Sequence, residues 1–273
     1  MSEASEKLMH RMPYGFGPAA GPRQGPDGKP FDWSTTPRRR AVAVDFLTDS
    51  EHLARLLPPG FTLHGEPVVT VEVQYFSELE WLAGRGYNTL GVKFSVTYQG
   101  TRDIVTGMFL SVLWENLADP ILTGRDELGF AKLYAEIPPP RIFRGAEHHG
   151  ASWLAHRFID IELTDIRDAE PVPATGAAAG GTLHYKYVPA TGDWGEADVA
   201  YACHTPPGAS SQRVVRRQAA KGMVHFFETS WEQMPTQFHI VNALAALPVW
   251  EWRGATITET LGGKDLSDQR RLY

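Results

Sequence analysis

Lys132 is the residue of this sequence that is best placed to do chemistry. It lies in the segment 124–140, GRDELGFAKLYAEIPPP, and its immediate neighbours are apolar: Phe130, Ala131, Leu133 and Tyr134. Burial among such groups penalises the ammonium form, so it lowers the pKa of a lysine and yields a nucleophilic amine that attacks ketones. The alternative interpretation is a lysine whose stem packs on apolar surface while its ammonium stays in water. Gly124, Gly129 and the prolines at 138–140 predict a shaped loop here rather than a regular helix.

The elements that must position this loop are mainly β-strands. Runs rich in β-branched and aromatic residues, separated by glycine-containing turns, are typical of strands; they occupy 41–47, 68–76, 90–98, 106–114, 153–163, 182–188, 197–203, 222–231 and 249–260. A short helix is predicted after residues 48–50, which offer capping side chains, and a second helix at 236–247. The fold class that we predict is α+β, mostly β, with a large curved or closed antiparallel sheet and a few short helices.

One domain accounts for most of the chain in this interpretation. With 273 residues, of which 42% are hydrophobic, the protein can bury a sizeable core. Residues 1–35 are dominated by glycine, proline and charge, which predicts a mobile N-terminal arm outside the core. Residues 36–262 form the predicted domain, and residues 263–273 a C-terminal tail.

Composition argues against several classes of function. The formal net charge of -6 and the pI near 5.9 argue against a nucleic-acid-binding surface. The N-terminal residues lack the apolar core of a signal peptide or membrane span, and the single cysteine, Cys203, fits a reducing compartment. We therefore expect a cytoplasmic protein with no nucleic-acid or membrane partner.

His148 and His149 are adjacent, which is poor spacing for two ligands of one metal, so we expect a surface turn there and no metal site.

Several segments together resemble the acetoacetate decarboxylase-like superfamily. In the active-site loop of that family a Gly-Arg-Glu motif precedes the Schiff-base lysine at the spacing found between Arg125 and Lys132. The likeness continues in order through Arg39 and through further segments: 46–63, 66–73, 86–100, 184–202 and 246–252. The resemblance implies a barrel-like or cone-like β-sheet, a small oxo acid as substrate, no cofactor and a homo-oligomer.

The same resemblance implies roles for individual residues. Lys132 forms an imine with a substrate ketone, and the protonated imine withdraws electrons from the adjacent carbon. Arg39 matches the arginine that the family places near the substrate carboxylate, a role that suits its planar, permanently charged fork; Arg38 or Arg40 takes that role if the register differs, and all three otherwise lie on a solvated strand start. Glu72 matches an active-site glutamate, although strand alternation alone also allows it to face solvent.

The sequence departs from the family pattern at two positions. Acetoacetate decarboxylases have a second lysine directly after the Schiff-base lysine, whereas this chain has Leu133. A lowered pKa of Lys132 must therefore come from burial, for which packing against Phe130 is the simplest candidate, or from a more distant cation such as Arg39 or Arg125.

The second departure lies in the segment GYNTLGV. Decarboxylases carry a glutamate two positions after its tyrosine, but here Tyr87 is followed by Asn88 and Thr89. One acid/base group is thereby absent. Tyr87 remains a possible proton donor, and Asn88 and Thr89 can hydrogen-bond a larger or more oxygenated substrate. Phe130, Arg125 and Met108 complete the predicted substrate-binding set, with Lys132, Glu72 and Tyr87 as the catalytic set.

The function predicted from these residues is a Schiff-base-forming lyase. Because the second lysine and one glutamate are missing, a diverged reaction is favoured, such as aldol condensation and dehydration of a pyruvate-like oxo acid. Decarboxylation of acetoacetate or another β-keto acid is the alternative. A non-catalytic oxo-acid-binding protein, in which Lys132 stays an ammonium and pairs with an anionic ligand, is the second alternative.

Overall fold

The computed structural model describes residues 8–170, 175–208 and 210–273. Fourteen strands in these residues belong to one sheet: β1 (Arg38–Leu47), β2 (Phe61–Leu63), β3 (Val68–Ser77), β4 (Asn88–Gln99), β5 (Ile104–Glu115), β6 (Lys132–Tyr134), β7 (Arg141–Phe143), β8 (Ala146–Trp153), β9 (His156–Asp168), β10 (Thr182–Pro189), β11 (Ala197–Thr205), β12 (Arg213–Phe226), β13 (Glu251–Leu261) and β14 (Arg270–Arg271). The helices are short: α1 (Ser50–Ala54), α2 (Ala118–Thr123), α3 (Gly176–Ala179) and α4 (Phe238–Ala245).

The sheet follows the order β14-β11-β10-β5-β4-β3-β1-β13-β12-β9-β8-β7, with β2 beside β4 and β6 beside β5. This confirms the prediction of a mostly β protein with one large sheet and a few short helices. The alternative of a closed sheet was wrong, since the order of the described strands runs from one free end to the other. The sheet is also mixed rather than wholly antiparallel, because β5 pairs in parallel with both β6 and β10.

Strand alternation gives the β1–β3–β4–β5 part of the sheet two different faces. One face is apolar and forms the core, with residues such as Val42, Val71, Val92 and Trp114 at 0% exposure. Residues on the opposite face alternate with these, as successive side chains of a strand must. The register places Gln74 opposite Thr89, and Thr89 opposite Glu115, on that second face. Burial of the apolar face holds the strands in register, and this register determines which side chains lie next to one another on the second face.

The loop around Lys132 is more helical than its glycines predicted. A π-helical turn, Gly124–Leu128, continues directly from α2. It ends at Gly129, which adopts φ 76° and lies against Lys186, where a β-carbon would come within 2.5 Å of the lysine side chain. Residues 124–128, predicted as part of a shaped loop rather than a regular helix, therefore form a π-helical turn, and the chain becomes extended only afterwards.

The prediction for the adjacent histidines, His148 and His149, was also wrong. The expected surface turn is instead strand β8, and His149 is 2% exposed. Its Nδ1 lies 2.7 Å from the hydroxyl of Tyr75, so this ring fills a buried polar position.

The N-terminal segment predicted as an arm lies, in its described part, against the rest of the protein. Gly263 donates to the carbonyl of Trp33 (2.9 Å), and Gln24 is 5% exposed. Residues 1–7 lie outside the described residues, and the mobility of the arm stays a prediction. The predicted tail contributes β14, which pairs with β11. No helix in the described ranges is long and apolar enough to span a membrane.

Candidate functional site

A cavity of about 660 Å³ lies over the second face of the sheet, opposite the core. Its walls include five of the residues singled out from the sequence: Arg39, Glu72, Tyr87, Met108 and Lys132. Residues of α2 and the π-helical turn, of the N-terminal segment and of the loops around 206 and 264 complete it. The structure thus brings strand residues far apart in sequence to one site.

Lys132 is the first residue of β6 and is 8% exposed. Its Nζ lies 2.9 Å from Oε1 of Glu115 and donates to the carbonyl of Pro120 at 2.9 Å. The ring of Phe130 lies below it, 5.3 Å from Nζ to the centroid. Gly124 is required beside it, because a β-carbon there would come within 2.5 Å of Nζ. The amine is therefore held by close packing rather than extended into solvent.

Burial lowers the pKa of Lys132, and the neighbouring charge of Glu115 only partly opposes this effect. Burial likewise raises the pKa of Glu115, although Lys132 acts in the opposite direction. Both shifts favour the neutral forms, since separate charges are costly where water is excluded. The site therefore favours the nucleophilic amine that the sequence suggested.

A cation also contributes to the lowered pKa of Lys132, after burial, and it is Arg23 of the N-terminal segment. The sequence offered Arg39 or Arg125 for this effect. Arg125 instead donates to the backbone carbonyl of Lys132 at 2.8 Å and so fixes the main chain. Leu133 follows Lys132 on the same strand and packs against the core, because neighbouring strand residues point to opposite faces.

A second lysine–glutamate pair lies in the wall of the same cavity. Lys93 Nζ is 3.1 Å from Oε1 of Glu72, and Gln74 donates to the same oxygen at 2.5 Å. Burial raises the pKa of Glu72, but Lys93, Arg39 and these hydrogen bonds together outweigh it, so its pKa lies below the ordinary value. Glu72 is accordingly an inward-facing, ionised carboxylate, as one of the two alternatives proposed.

Tyr87 and Arg39 lie in the same wall. Burial raises the pKa of Tyr87 well above its ordinary value, and the charge of Glu115 adds to this, so the phenol keeps its proton. Arg39 makes long contacts of 3.4 Å to the amide oxygens of Gln74 and Gln212. Its Nε is buried and has no hydrogen-bond partner among the described residues.

The remaining predicted residues lie outside the cavity wall. Phe130 lies behind Lys132 and packs against His184, with ring centroids 3.9 Å apart and the ring planes tilted by 40°. Asn88 donates to the carbonyl of Ile137 at 2.7 Å, a structural contact. Thr89 is 3% exposed and faces Glu115 across the β4–β5 ladder. Arg125 has the backbone role described above.

Sequence reasoning missed Glu115, Lys93 and Arg23. Glu115 is 1% exposed and lies directly opposite Thr89, the position at which the family carries a glutamate. A carboxyl group therefore lies on β5, one strand away from the position on β4 where the family's glutamate is absent. A glutamate directly after the apolar run 106–114 was the available signal, but the register of the two strands was needed to interpret it. Among the described residues no group of three or more His, Cys, Asp and Glu side chains could hold a metal ion.

Solved structures share this architecture. A structure of acetoacetate decarboxylase superimposes with a TM-score of 0.65 at 14% identity, over 87% of this chain and 89% of that one. An acetoacetate decarboxylase from Legionella pneumophila gives a TM-score of 0.63 at 18% identity, over 84% and 87% of the two chains. At these identities the likeness concerns the fold alone.

A third fold neighbour is the enduracididine biosynthesis enzyme MppR. In complex with pyruvate it gives a TM-score of 0.58 at 18% identity, over 89% of this chain and 95% of MppR. The same enzyme has been solved with the condensation product of pyruvate and imidazole 4-carboxaldehyde. A search of curated proteins found no match.

The sequence itself identifies the family. The model of the family described as acetoacetate decarboxylase matches residues 11–260, which is most of the chain and includes Arg39, Glu72, Tyr87, Met108 and Lys132 of the cavity wall. This chain belongs to the acetoacetate decarboxylase family.

Proposed function

We propose that this protein is a cofactor-independent lyase that forms a Schiff base between Lys132 and a small, pyruvate-like oxo acid. The observation that carries the proposal is the buried amine of Lys132 at a cavity wall, with a lowered pKa and a carboxylic partner at 2.9 Å. A lysine of ordinary pKa would be almost wholly protonated near pH 7 and would not attack a ketone.

The amine of Lys132 attacks the ketone carbon, and water leaves to give an iminium ion. Loss of a proton from the adjacent carbon then gives an enamine, whose carbon adds to an aldehyde, and elimination of water completes the condensation. Hydrolysis of the product iminium releases the product ketone and restores the amine of Lys132. Glu72 is ionised and therefore able to take the proton, whereas Tyr87 keeps its proton and is able to donate it. Glu115 touches Lys132 from behind and exchanges a proton with the amine as the imine forms.

The size of the cavity favours condensation over simple decarboxylation. A volume of about 660 Å³ exceeds what a three-carbon or four-carbon oxo acid needs, and the wall beyond Lys132 carries a second polar pair, Glu72 and Lys93. This volume leaves room for a second reactant. The fold neighbour MppR, solved with a condensation product, supports the same choice. Decarboxylation, in which the iminium accepts the electrons left by carbon dioxide, is the second candidate because it is the reaction for which the family is named.

Reductive trapping tests the proposal. The wild-type protein and Lys132→Ala are incubated with pyruvate or acetoacetate and borohydride, and the intact mass and the labelled peptide are determined. We expect a wild-type adduct on Lys132, none on Lys93, and none in the variant. Condensation is favoured if the pyruvate adduct and the acetoacetate adduct both keep their carboxylates. Decarboxylation is favoured if the acetoacetate adduct has lost carbon dioxide. Absence of any wild-type adduct contradicts the proposal and favours a binding protein.

A further inference from the structure

A row of polar residues crosses the cavity wall on the neighbouring strands β1, β3 and β4. Asp45 on β1 pairs with Thr70 on β3, and Thr70 pairs with Lys93 on β4. All three residues line the cavity, as does Glu72, which lies two residues further along β3. The reaction proposed above uses Glu72 but gives Asp45 and Thr70 no role. We call Asp45, Thr70 and Lys93 the polar row.

Asp45 has one carboxyl oxygen without a hydrogen-bond donor in the described part of the chain. The hydroxyl of Thr70 donates to Oδ1 at 2.5 Å, and no described residue donates to Oδ2. Burial raises the pKa of Asp45, and the hydrogen bond from Thr70 and the charge of Lys93 oppose this effect only in part. A ligand that donates a hydrogen bond to Oδ2 would offset part of the cost of burying this group.

Lys93 restricts which kind of ligand group suits the polar row. Its Nζ lies 3.1 Å from Glu72, and an ammonium has three N–H donors, so Lys93 is able to donate to a ligand as well. A cationic group would be repelled by Lys93, and a carboxylate would be repelled by Glu72. A neutral hydroxyl avoids both penalties, because it donates to Asp45 and accepts from Lys93.

The strand register gives the distance at which such a hydroxyl must lie. In the proposed reaction Glu72 removes the proton from the carbon that then adds to the aldehyde, so the aldehyde carbon lies beside Glu72. Thr70 is two residues away along β3, which is about 7 Å at the rise of a β-strand. Ala43 pairs with Glu72 and lines the cavity beside Asp45, and its methyl group leaves this path open. The hydroxyl must therefore be held by a spacer of about this length.

We infer that Asp45 and Lys93 bind a hydroxyl group of the second reactant, so that the protein condenses the oxo acid with a hydroxyaldehyde. This inference rests on the proposed function and names the substrate class of that site. The hydroxyl takes no part in bond formation and serves to orient the aldehyde against the enamine. Thr70 is a positioning residue, since its hydrogen bond to Oδ1 of Asp45 turns the other oxygen towards the ligand.

Two aldehydes of nearly the same shape test the inference. 4-(Hydroxymethyl)benzaldehyde and 4-ethylbenzaldehyde differ only in the exchange of a hydroxyl for a methyl group, and the benzene ring holds that group at a suitable distance from the aldehyde carbon. With pyruvate in excess, we would follow the absorbance of the conjugated product and determine kcat/KM for each aldehyde in the wild type, D45V, D45N and D168V. The matched control is D168V, because Asp168 is an exposed strand residue outside the cavity wall.

The wild type should prefer the hydroxymethyl compound by about tenfold or more, the size expected for hydrogen bonds to charged groups. This preference should disappear in D45V, survive in part in D45N, which keeps an acceptor oxygen, and stay unchanged in D168V. A wild type without the preference overturns the inference, whether or not the variants fold. A preference that persists in D45V, or that falls as far in D168V, also overturns it.

Reductive trapping of pyruvate in the same proteins separates this inference from the proposed function. A pyruvate adduct on Lys132 together with equal kcat/KM values for the two aldehydes contradicts the hydroxyl subsite and leaves the Schiff base intact. If the wild type forms no pyruvate adduct, the proposed function itself fails.

Discussion

Two lysine–glutamate pairs line or adjoin one cavity, and they behave differently. Lys132 and Glu115 are 2.9 Å apart with side chains 9% and 1% exposed, whereas Lys93 and Glu72 are 3.1 Å apart with side chains 25% and 19% exposed. Separation is nearly the same, so distance does not distinguish them. In the first pair burial outweighs the mutual attraction, and the pKa of Glu115 is raised. In the second pair the surrounding charges outweigh burial, and the pKa of Glu72 is lowered.

The comparison shows that solvation and the surrounding charges, not the identity of the partner, decide which of the two glutamates has a raised pKa and which a lowered one. Burial lowers the pKa of Lys132, the charge of Glu115 opposes this effect, and the charge of Arg23 adds to it, so the neutral amine is favoured. Glu72 is surrounded by the cations Lys93 and Arg39, which favour the carboxylate. These shifts favour a neutral amine at Lys132 and an ionised carboxylate at Glu72 within one site.

Replacing the lysine of each pair should give the largest difference in stability between the two pairs. Lys132→Met leaves the buried carboxyl of Glu115 without its hydrogen-bonding partner, at a cost of about 3 kcal/mol in the free energy of unfolding. In this variant the pKa of Glu115 in the folded protein, which is already raised, rises further. A carboxyl group whose pKa is higher in the folded than in the unfolded state favours folding at a pH below its unfolded-state pKa. This contribution is lost as the pH rises towards its folded-state pKa. The loss should therefore be larger at pH 8 than at pH 5.

Lys93→Met is the matched control for this prediction. Glu72 keeps Arg39 and the hydrogen bond from Gln74 and is more exposed, so we expect a smaller loss. Urea unfolding of the wild type and both variants at the two pH values gives the comparison. Equal losses in the two variants, or a Lys132→Met loss that does not depend on pH, would show that burial does not distinguish the pairs.

Gly124→Ala tests the two pairs separately, because it should displace Lys132 and leave Lys93 in place. A β-carbon at position 124 would come within 2.5 Å of Lys132 Nζ, so the amine must shift. We expect the rate of imine trapping with pyruvate to fall by about 100-fold, the size associated with misplacing a reacting group by about 1 Å. Gly15→Ala is the control, because a β-carbon there meets no atom within 4 Å. A Gly124→Ala rate equal to that of Gly15→Ala would contradict close packing of the amine.

Glutamine substitutions should give the smallest effect, a change in pH dependence. The charge of Glu115 raises the pKa of Lys132 against the larger effect of burial, so E115Q should move the inflection of the acetone-trapping rate to lower pH. E72Q should leave the inflection nearer its wild-type position, since Glu72 is not among the charges that act on Lys132. Rates measured from pH 6 to pH 10 test this, and an upward shift in E115Q would reverse the assigned sign.

Much of the fold could be predicted because strand patterns are local. The runs 68–76, 90–98 and 106–114 all lie within strands β3, β4 and β5, and their alternation correctly placed Glu72 opposite the core. The helical turn at 124–128 was missed because glycine at both ends indicated a loop, while packing of α2 against β5 and β6 holds the turn. Whether the sheet is open or closed depends on which distant strands pair. The local residue pattern of each strand does not contain that information.

The sequence by itself determined the family and the mostly β fold and singled out Lys132 as the candidate nucleophile, since each is carried by residue types along the chain. The tertiary structure alone decided which groups surround that lysine. Glu115 reaches it through the register of β5 with β6, and Arg23 reaches the same cavity from a segment more than a hundred residues earlier in the chain. The pKa of a buried group depends on neighbours in space, and strand register and long-range docking, not sequence spacing, set those neighbours.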